Sequence, residues 1–236
     1  VGVLPNGEWV AIFGNGRYSS SGYAVLFVVN LETGAVQTLT VDTSGANGLG
    51  GVGVVRNSSG QITSLYAGDL KGQIWKFEYQ ASTSSRFQIS GGAALFSASS
   101  AAGVAQPITQ APLAYDFSSG GKLLVFATGV LSTTADADSA AVQSIYAVWD
   151  QTADTLPRPM TRSVLAARGL TSVAGAGGAT FYSVDGTAVN WSTQRGWVID
   201  LDVITGLRVV YPLQRVSSSV AMVSAVAPAR NVQVCD

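Results

Sequence analysis

The chain has 236 residues, with 13 Lys plus Arg against 14 Asp plus Glu, and only 11% of its residues are charged. It holds one cysteine and no histidine, which excludes Ser-His-Asp and Cys-His catalysis, histidine general bases, histidine metal ligands and an intrachain disulfide. A net charge of -1 leaves no electrostatic footprint for nucleic acid or an anionic membrane, and the apolar runs fall short of the roughly 18 residues that cross a bilayer.

What remains is rich in glycine, β-branched and small polar residues, which predicts an all-β protein with a hydroxyl-rich surface. No signal peptide is visible and the first residue is valine, as expected of a processed product or a segment of a longer protein. The first unit reads Trp9-Val-Ala-Ile-Phe13, a Gly14-Asn-Gly16 turn, then Ala24-Val-Leu-Phe-Val-Val29 ended by Asn30; Glu32-Thr-Gly34 turns into Val36-Gln-Thr-Leu-Thr40. Gly48-Leu-Gly-Gly-Val-Gly53 fits G-x-G-x-x-G. A strand over 52–55 and a turn over 57–60 follow it, where a dinucleotide site needs a helix, so these glycines are read as permitting close strand packing.

The second unit is Ser64-Leu-Tyr-Ala67, the turn Asp69-Leu-Lys-Gly72 and the strand Gln73-Ile-Trp-Lys-Phe77. Asp69 reads as an Asx-turn residue rather than a catalyst. The third is Leu123-Leu-Val-Phe-Ala127 with Ser144-Ile-Tyr-Ala-Val-Trp149, and the fourth is Ala179-Thr-Phe-Tyr-Ser183 with Gly196-Trp-Val-Ile199. Asp150 and Asp200 end strands and read as caps of neighbouring backbone amides. Trp75, Trp149 and Trp197 fall in comparable second strands and are expected to pack between units. Equivalent strands recur roughly every 55 residues, close to propeller blades of about 40 to 50, and about four such units fit in the chain. The best helix candidate is Met160 to Arg168. The stretches 97–103, 132–141 and 169–178 read as the most mobile loops.

Signals for chemistry are weak. Asp136-Ala-Asp138 lies in a polar stretch and offers two carboxylates for calcium, which takes several oxygen ligands. Asn57-Ser-Ser59 and Asn190-Trp-Ser192 match the N-glycosylation pattern. Cys235, next to the last residue, would pair only with a cysteine beyond the end of the chain.

Several stretches resemble the C-terminal propeller domain of the PilC/PilY-type type IV pilus tip proteins. They are Trp9-Val-Ala-Ile-Phe-Gly-Asn-Gly16, Leu65-Tyr-Ala-Gly-Asp-Leu-Lys-Gly-Gln-Ile-Trp-Lys-Phe77, Gln106-Pro-Ile-Thr-Gln-Ala-Pro112, Phe126-Ala-Thr-Gly129, Gln143-Ser-Ile-Tyr-Ala-Val-Trp-Asp150 and Arg195-Gly-Trp-Val-Ile-Asp-Leu201, in the family's order. The resemblance implies a modified, quinoprotein-like β-propeller over residues 1–236, with only part of the blade set present. It implies a non-enzymatic protein at the bacterial cell surface and pilus tip, supporting pilus assembly against retraction and adhesion. The implied partners are minor pilins, an adhesive N-terminal half and a host or surface receptor. The family commonly carries a calcium loop before its Tyr-Ala-Gly-Asp segment. Its positions here are Val55, Asn57, Ser59, Gln61 and Thr63, none of them a carboxylate, so calcium is expected to bind weakly or not at all. Asp136 and Asp138 are the fallback site. The alternatives are a quinone-cofactor dehydrogenase, since Leu31-Glu-Thr-Gly34 and Asp202-Val-Ile-Thr-Gly206 are similar to quinoprotein blade turns, and an outer-membrane assembly scaffold.

Overall fold

A computed structural model describes residues 1–81, 86–152 and 156–228; Cys235 lies outside them. Strands dominate. The first sheet takes β1 (Gly2–Val3), β2 (Trp9–Gly14), β3 (Ala24–Asn30) and β4 (Val36–Asp42) in sequence order, each antiparallel to the next. The second is built from β5 (Leu49–Arg56), β6 (Ile62–Asp69) and β7 (Gln73–Tyr79), with the short β8 (Phe87–Ile89) and β9 (Phe96–Ser97) at its edge. The third begins with β10 (Leu113–Asp116), β11 (Lys122–Ala127) and β12 (Ser144–Asp150), with α1 (Thr134–Asp138) between the last two.

Beyond residue 159 the chain departs from the four expected units. Met160 to Arg168 is not a helix. It forms β13 (Met160–Thr161), a 3-10 turn over Arg162–Val164 and β14 (Ala166–Arg168). β13 runs parallel to β9 in the second sheet, and β14 runs parallel to β17 (Gly196–Asp200) in the third. The helical spacing of apolar residues in this segment is a coincidence of two short strands facing two different sheets.

The fourth unit is not a separate blade either. β17 pairs with β12, with Ala147 opposite Trp197, so it extends the third sheet. The stretch 169–178, expected as a loop, supplies β15 (Leu170–Ala174), which forms an exposed hairpin with β16 (Thr180–Val184). A second hairpin, β18 (Gln214–Arg215) with β19 (Ala221–Met222), follows. Among the described residues, no helix is long and apolar enough to cross a membrane.

The large sheets stack face to face, because the period of two sends alternate residues of each strand to opposite faces. Val10, Leu26 and Val28 of the first sheet meet Leu65, Trp75 and Phe77 of the second. The other face of the second sheet, with Tyr66, Ile74 and Phe96, meets Leu124, Phe126, Tyr146 and Val148 of the third. The outer face of the third, with Val125 and Ala147, lies under Leu201, Val209 and Leu213. Trp75 packs between the first and second sheets, as expected, whereas Trp149 is buried against Phe117 and Trp191 instead of between sheets, and Trp197 is half-buried against the outer layer.

The glycines of 48–53 permit this stacking, and no helix follows them. A Cβ on Gly53 would sit 2.1 Å from the Pro112 carbonyl oxygen. A Cβ on Gly68 would sit 2.1 Å from Ile108 Cγ2. The segment 106–112 can therefore lie directly on β5 and β6. There Gly51 N donates to Thr109 O at 3.0 Å and Ile108 N to Asp69 O at 2.9 Å.

Candidate functional site

The distinctive polar residues gather where the second and third sheets meet. In β12 the alternation places Ser144, Tyr146, Val148 and Asp150 on the face toward the second sheet. At one end of this seam the Tyr66 hydroxyl donates to Asp150 Oδ2 at 2.6 Å, and Lys76 Nζ lies 2.8 Å from the same oxygen. Tyr66 and Lys76 face each other in the β6–β7 register, so one carboxylate serves both. Burial, and then the Asp150 charge, push the Tyr66 hydroxyl well above the usual phenol range. A cleft of about 590 Å³ opens beside this group.

Midway along the seam the rings of Phe96, Phe126 and Tyr146 pack with centroids 5.1 to 5.9 Å apart. At the other end Gln106 is buried. Its Nε2 donates to Val142 O and Ser144 Oγ, both at 2.8 Å, and its Oε1 accepts the Tyr146 hydroxyl. Ser144 Oγ passes the chain on to Asp200 Oδ1 at 2.7 Å, and Arg162 grips Asp200 through both guanidinium nitrogens at 2.8 and 2.7 Å. Asp150 thus accepts across the two sheets, and Asp200 accepts from its strand neighbour Ser144 and from Arg162 of the 3-10 turn, rather than either capping an adjacent amide. Strand-end position signalled a stop, but their partners come from strands far away in sequence.

Asp69 closes the other face of the second sheet. Its Oδ1 accepts the amides of Lys71 at 2.9 Å and Gln73 at 2.8 Å, the Asx-turn geometry expected for this residue. Its Oδ2 additionally accepts Trp75 Nε1 at 2.9 Å and Asn47 Nδ2 at 3.0 Å. Burial raises the pKa of Asp69, and the bonds from Trp75 and Asn47 oppose that rise. Asn47 Nδ2 also reaches Asp42, where Lys71 completes an ion pair at 3.1 Å. Burial acts to raise Asp42 as well, but the bonds from Ser44, Asn47 and Lys71 prevail and hold it below the usual carboxylate range.

The turn at 57–60 is closed on itself. Asn57 Oδ1 accepts the amides of Ser59 and Gln61 at 3.0 Å, and Asn57 Nδ2 donates to Gln61 Oε1 at 2.9 Å. Asp136 is equally occupied: it forms a capping box with Thr133 on α1 and accepts the Ser132 amide at 2.8 Å. Burial acts to raise Asp136, yet the bonds from Ser132 and Thr133 and the charge of Arg17 bring its pKa down. Asp138 is exposed at the end of α1. Among the described residues, no three His, Cys, Asp or Glu side chains cluster to hold a metal.

Residues 1–170 match the family described as the PilY1 beta-propeller domain. A type IV pilus biogenesis factor PilY1 of Pseudomonas aeruginosa PAO1 is 34% identical over 86% of this chain. The chain belongs to the PilY1 β-propeller family. A PilY1 homolog of Xylella fastidiosa is 37% identical over 62% of the chain. The crystal structure of the Pseudomonas aeruginosa PilY1 C-terminal domain superposes with a TM-score of 0.84 at 29% identity, covering 97% of this chain and 55% of that one. The chain spans about a fifth of the Pseudomonas aeruginosa relative, 21% of its length. The fold is thus that of the PilY1 C-terminal β-propeller domain, with its sheets left open.

The positions expected for a calcium loop lie in the closed turn at 57–60 and the strand ends beside it. Of Val55, Asn57, Ser59, Gln61 and Thr63, none carries a charge. The Asn57 and Gln61 side-chain oxygens already accept hydrogen bonds inside the turn. The family motifs instead supply the seam: Tyr66, Lys76, Gln106, Ser144, Tyr146, Asp150 and Asp200 all come from them.

Arg208 is a residue that sequence reading missed. It is buried and donates to backbone oxygens of Gly206, Val130, Asp136 and Ser139, tying the 132–141 stretch to the C-terminal segment. No local pattern marks it, since these acceptors are backbone carbonyls.

Proposed function

We propose that this chain is a non-enzymatic propeller module of a type IV pilus biogenesis protein, with residues 1–236 acting as one propeller segment. It works by protein–protein contact at the cell surface and pilus tip. Its partners are minor pilins, an adhesive N-terminal half and a surface receptor, and its role is to support pilus assembly against retraction and attachment. The observation that carries this reading is the use of the family motifs. Their polar side chains are spent joining sheets, so the rigid stack carries its recognition on loops and hairpins. In cells whose full-length protein contains this segment, deleting it in frame is expected to remove surface pili. Deleting the retraction motor as well is expected to restore them. Unchanged pilus numbers after the first deletion would overturn the reading. A quinone dehydrogenase would instead develop the cofactor's absorbance on mixing with pyrroloquinoline quinone.

We also propose that the 57–63 loop holds no calcium tightly, because calcium affinity grows with the number of charged ligands. Calorimetric titration of the chain with calcium should give no micromolar binding. Micromolar binding abolished by Asn57→Ala would refute this.

A further inference from the structure

Charge is scarce here, and nearly all of the cations are hydrogen-bonded. Among the described residues every lysine and arginine other than Arg17 donates to an oxygen. Arg17 makes no hydrogen bond. Its Nη1 is fully enclosed and has no partner, and its nearest aromatic neighbour is the Tyr18 ring, 6.0 Å away. A guanidinium nitrogen shut away from water without an acceptor is costly.

Arg17 also lines a partly open cavity of about 210 Å³. Gly16 and Arg17 enter it from the end of β2, Gly48 and Gly50 from the start of β5, and Thr109 and Gln110 from the segment between the second and third sheets. Leu131 and Val210 line it as well. A cavity this size takes several waters or one small oxyanion. Its walls do not answer Arg17. Thr109 Oγ1 donates to Gly129 O at 2.9 Å, Gln110 Nε2 donates to Val210 O at 2.8 Å, and neither side chain accepts from the guanidinium. Asp136 senses the Arg17 charge, but its carboxylate caps α1 and forms no ion pair with Arg17.

We propose that this cavity binds a carboxylate, with Arg17 as the counter-charge. A planar guanidinium matches a carboxylate edge. Among the described residues, Arg17 is the one charged side chain lining the cavity, so a monoanion is favoured over a phosphate dianion. The carboxylate is either a free small acid or the acidic side chain of another protein segment reaching between the sheets.

The test follows the Arg17 Nε–Hε resonance of the 236-residue chain by NMR. Sodium acetate is titrated against chloride at constant ionic strength. A parallel arm uses a capped tripeptide with one central aspartate, and another uses inorganic phosphate at mildly alkaline pH, where phosphate is a dianion. A saturable shift at Arg17 with acetate is expected. Tripeptide binding tighter than acetate identifies a protein segment as the source, and weaker binding identifies a free acid. Read in every variant from the backbone amides of Gly16 and Gly48, which line the cavity, Arg17→Gln should weaken acetate binding about tenfold or more, the loss of one charged hydrogen bond, while Arg215→Gln leaves it unchanged. If Arg17→Gln does not fold, the wild-type Arg17 resonance decides alone. Absence of a saturable shift, an equal response in Arg17→Gln, or tighter binding of phosphate than of acetate overturns the proposal.

Discussion

Asp69→Ala is expected to destabilise the chain by about 4 kcal/mol or more, since it strands several buried donors at once. The carboxylate is fully buried and accepts the amides of Lys71 and Gln73, the indole of Trp75 and the amide of Asn47. Water cannot replace it without opening the β6–β7 turn. At this chain length the loss corresponds to a fall in Tm of roughly 10 °C. Asp69→Asn should recover only part of it. One asparagine oxygen can still accept the two turn amides, but the new amide hydrogens then face Trp75 Nε1 and Asn47 Nδ2, donor against donor. Urea unfolding of both variants checks the order. An Asp69→Asn protein as stable as wild type would show that the Trp75 and Asn47 bonds contribute little.

The second large effect is at Asp150, where the sign depends on how the group is removed. Asp150→Ala leaves the Lys76 ammonium, on a side chain only 17% exposed, with the half-exposed Glu78 as its remaining partner at 3.3 Å, and leaves the Tyr66 hydroxyl without an acceptor. Breaking one side of a fully buried pair costs about 3–5 kcal/mol, and Glu78 holds the loss here toward the lower end of that range. Replacing both charges, Lys76→Met with Asp150→Leu, removes the desolvation penalty together with the attraction, so most of that loss should return. Tyr66→Phe alone should cost about 1 kcal/mol, one neutral-donor bond. Equilibrium unfolding of the singles and the double closes the cycle. If the double variant is less stable than either single, the seam is held by the ion pair itself rather than by packing around it.

The legible parts of this fold were those written in local chemistry. Alternation and turn residues mark β2, β3, β6, β7, β11 and β12, and Asp69 announces its own Asx turn through Gly72. The packing role of the 48–53 glycines follows from the absence of a helix behind them. What escaped depends on partners far along the chain. Nothing near Asp150 reveals that its acceptor atoms meet Tyr66, separated by 84 positions. Nor does Arg208 show that carbonyls 69 to 78 positions away surround it. The split of 160–168 into two strands was hidden for the same reason. Apolar residues that serve two different sheets over so short a span imitate one face of a helix. The polar seam was visible only as family motifs, because a cross-sheet hydrogen bond leaves no periodic trace.

The crossing at 160–168 has a mechanical consequence. Its two strands are joined by four residues, the 3-10 turn Arg162–Val164 and Leu165, a tether of about 14 Å even when fully extended. The second and third sheets therefore have almost no slack between them. Any pull that separates them strips β13 from β9 or β14 from β17 before the gap can widen further. The pair transmits displacement as one body, and a partner that seizes one sheet moves the other.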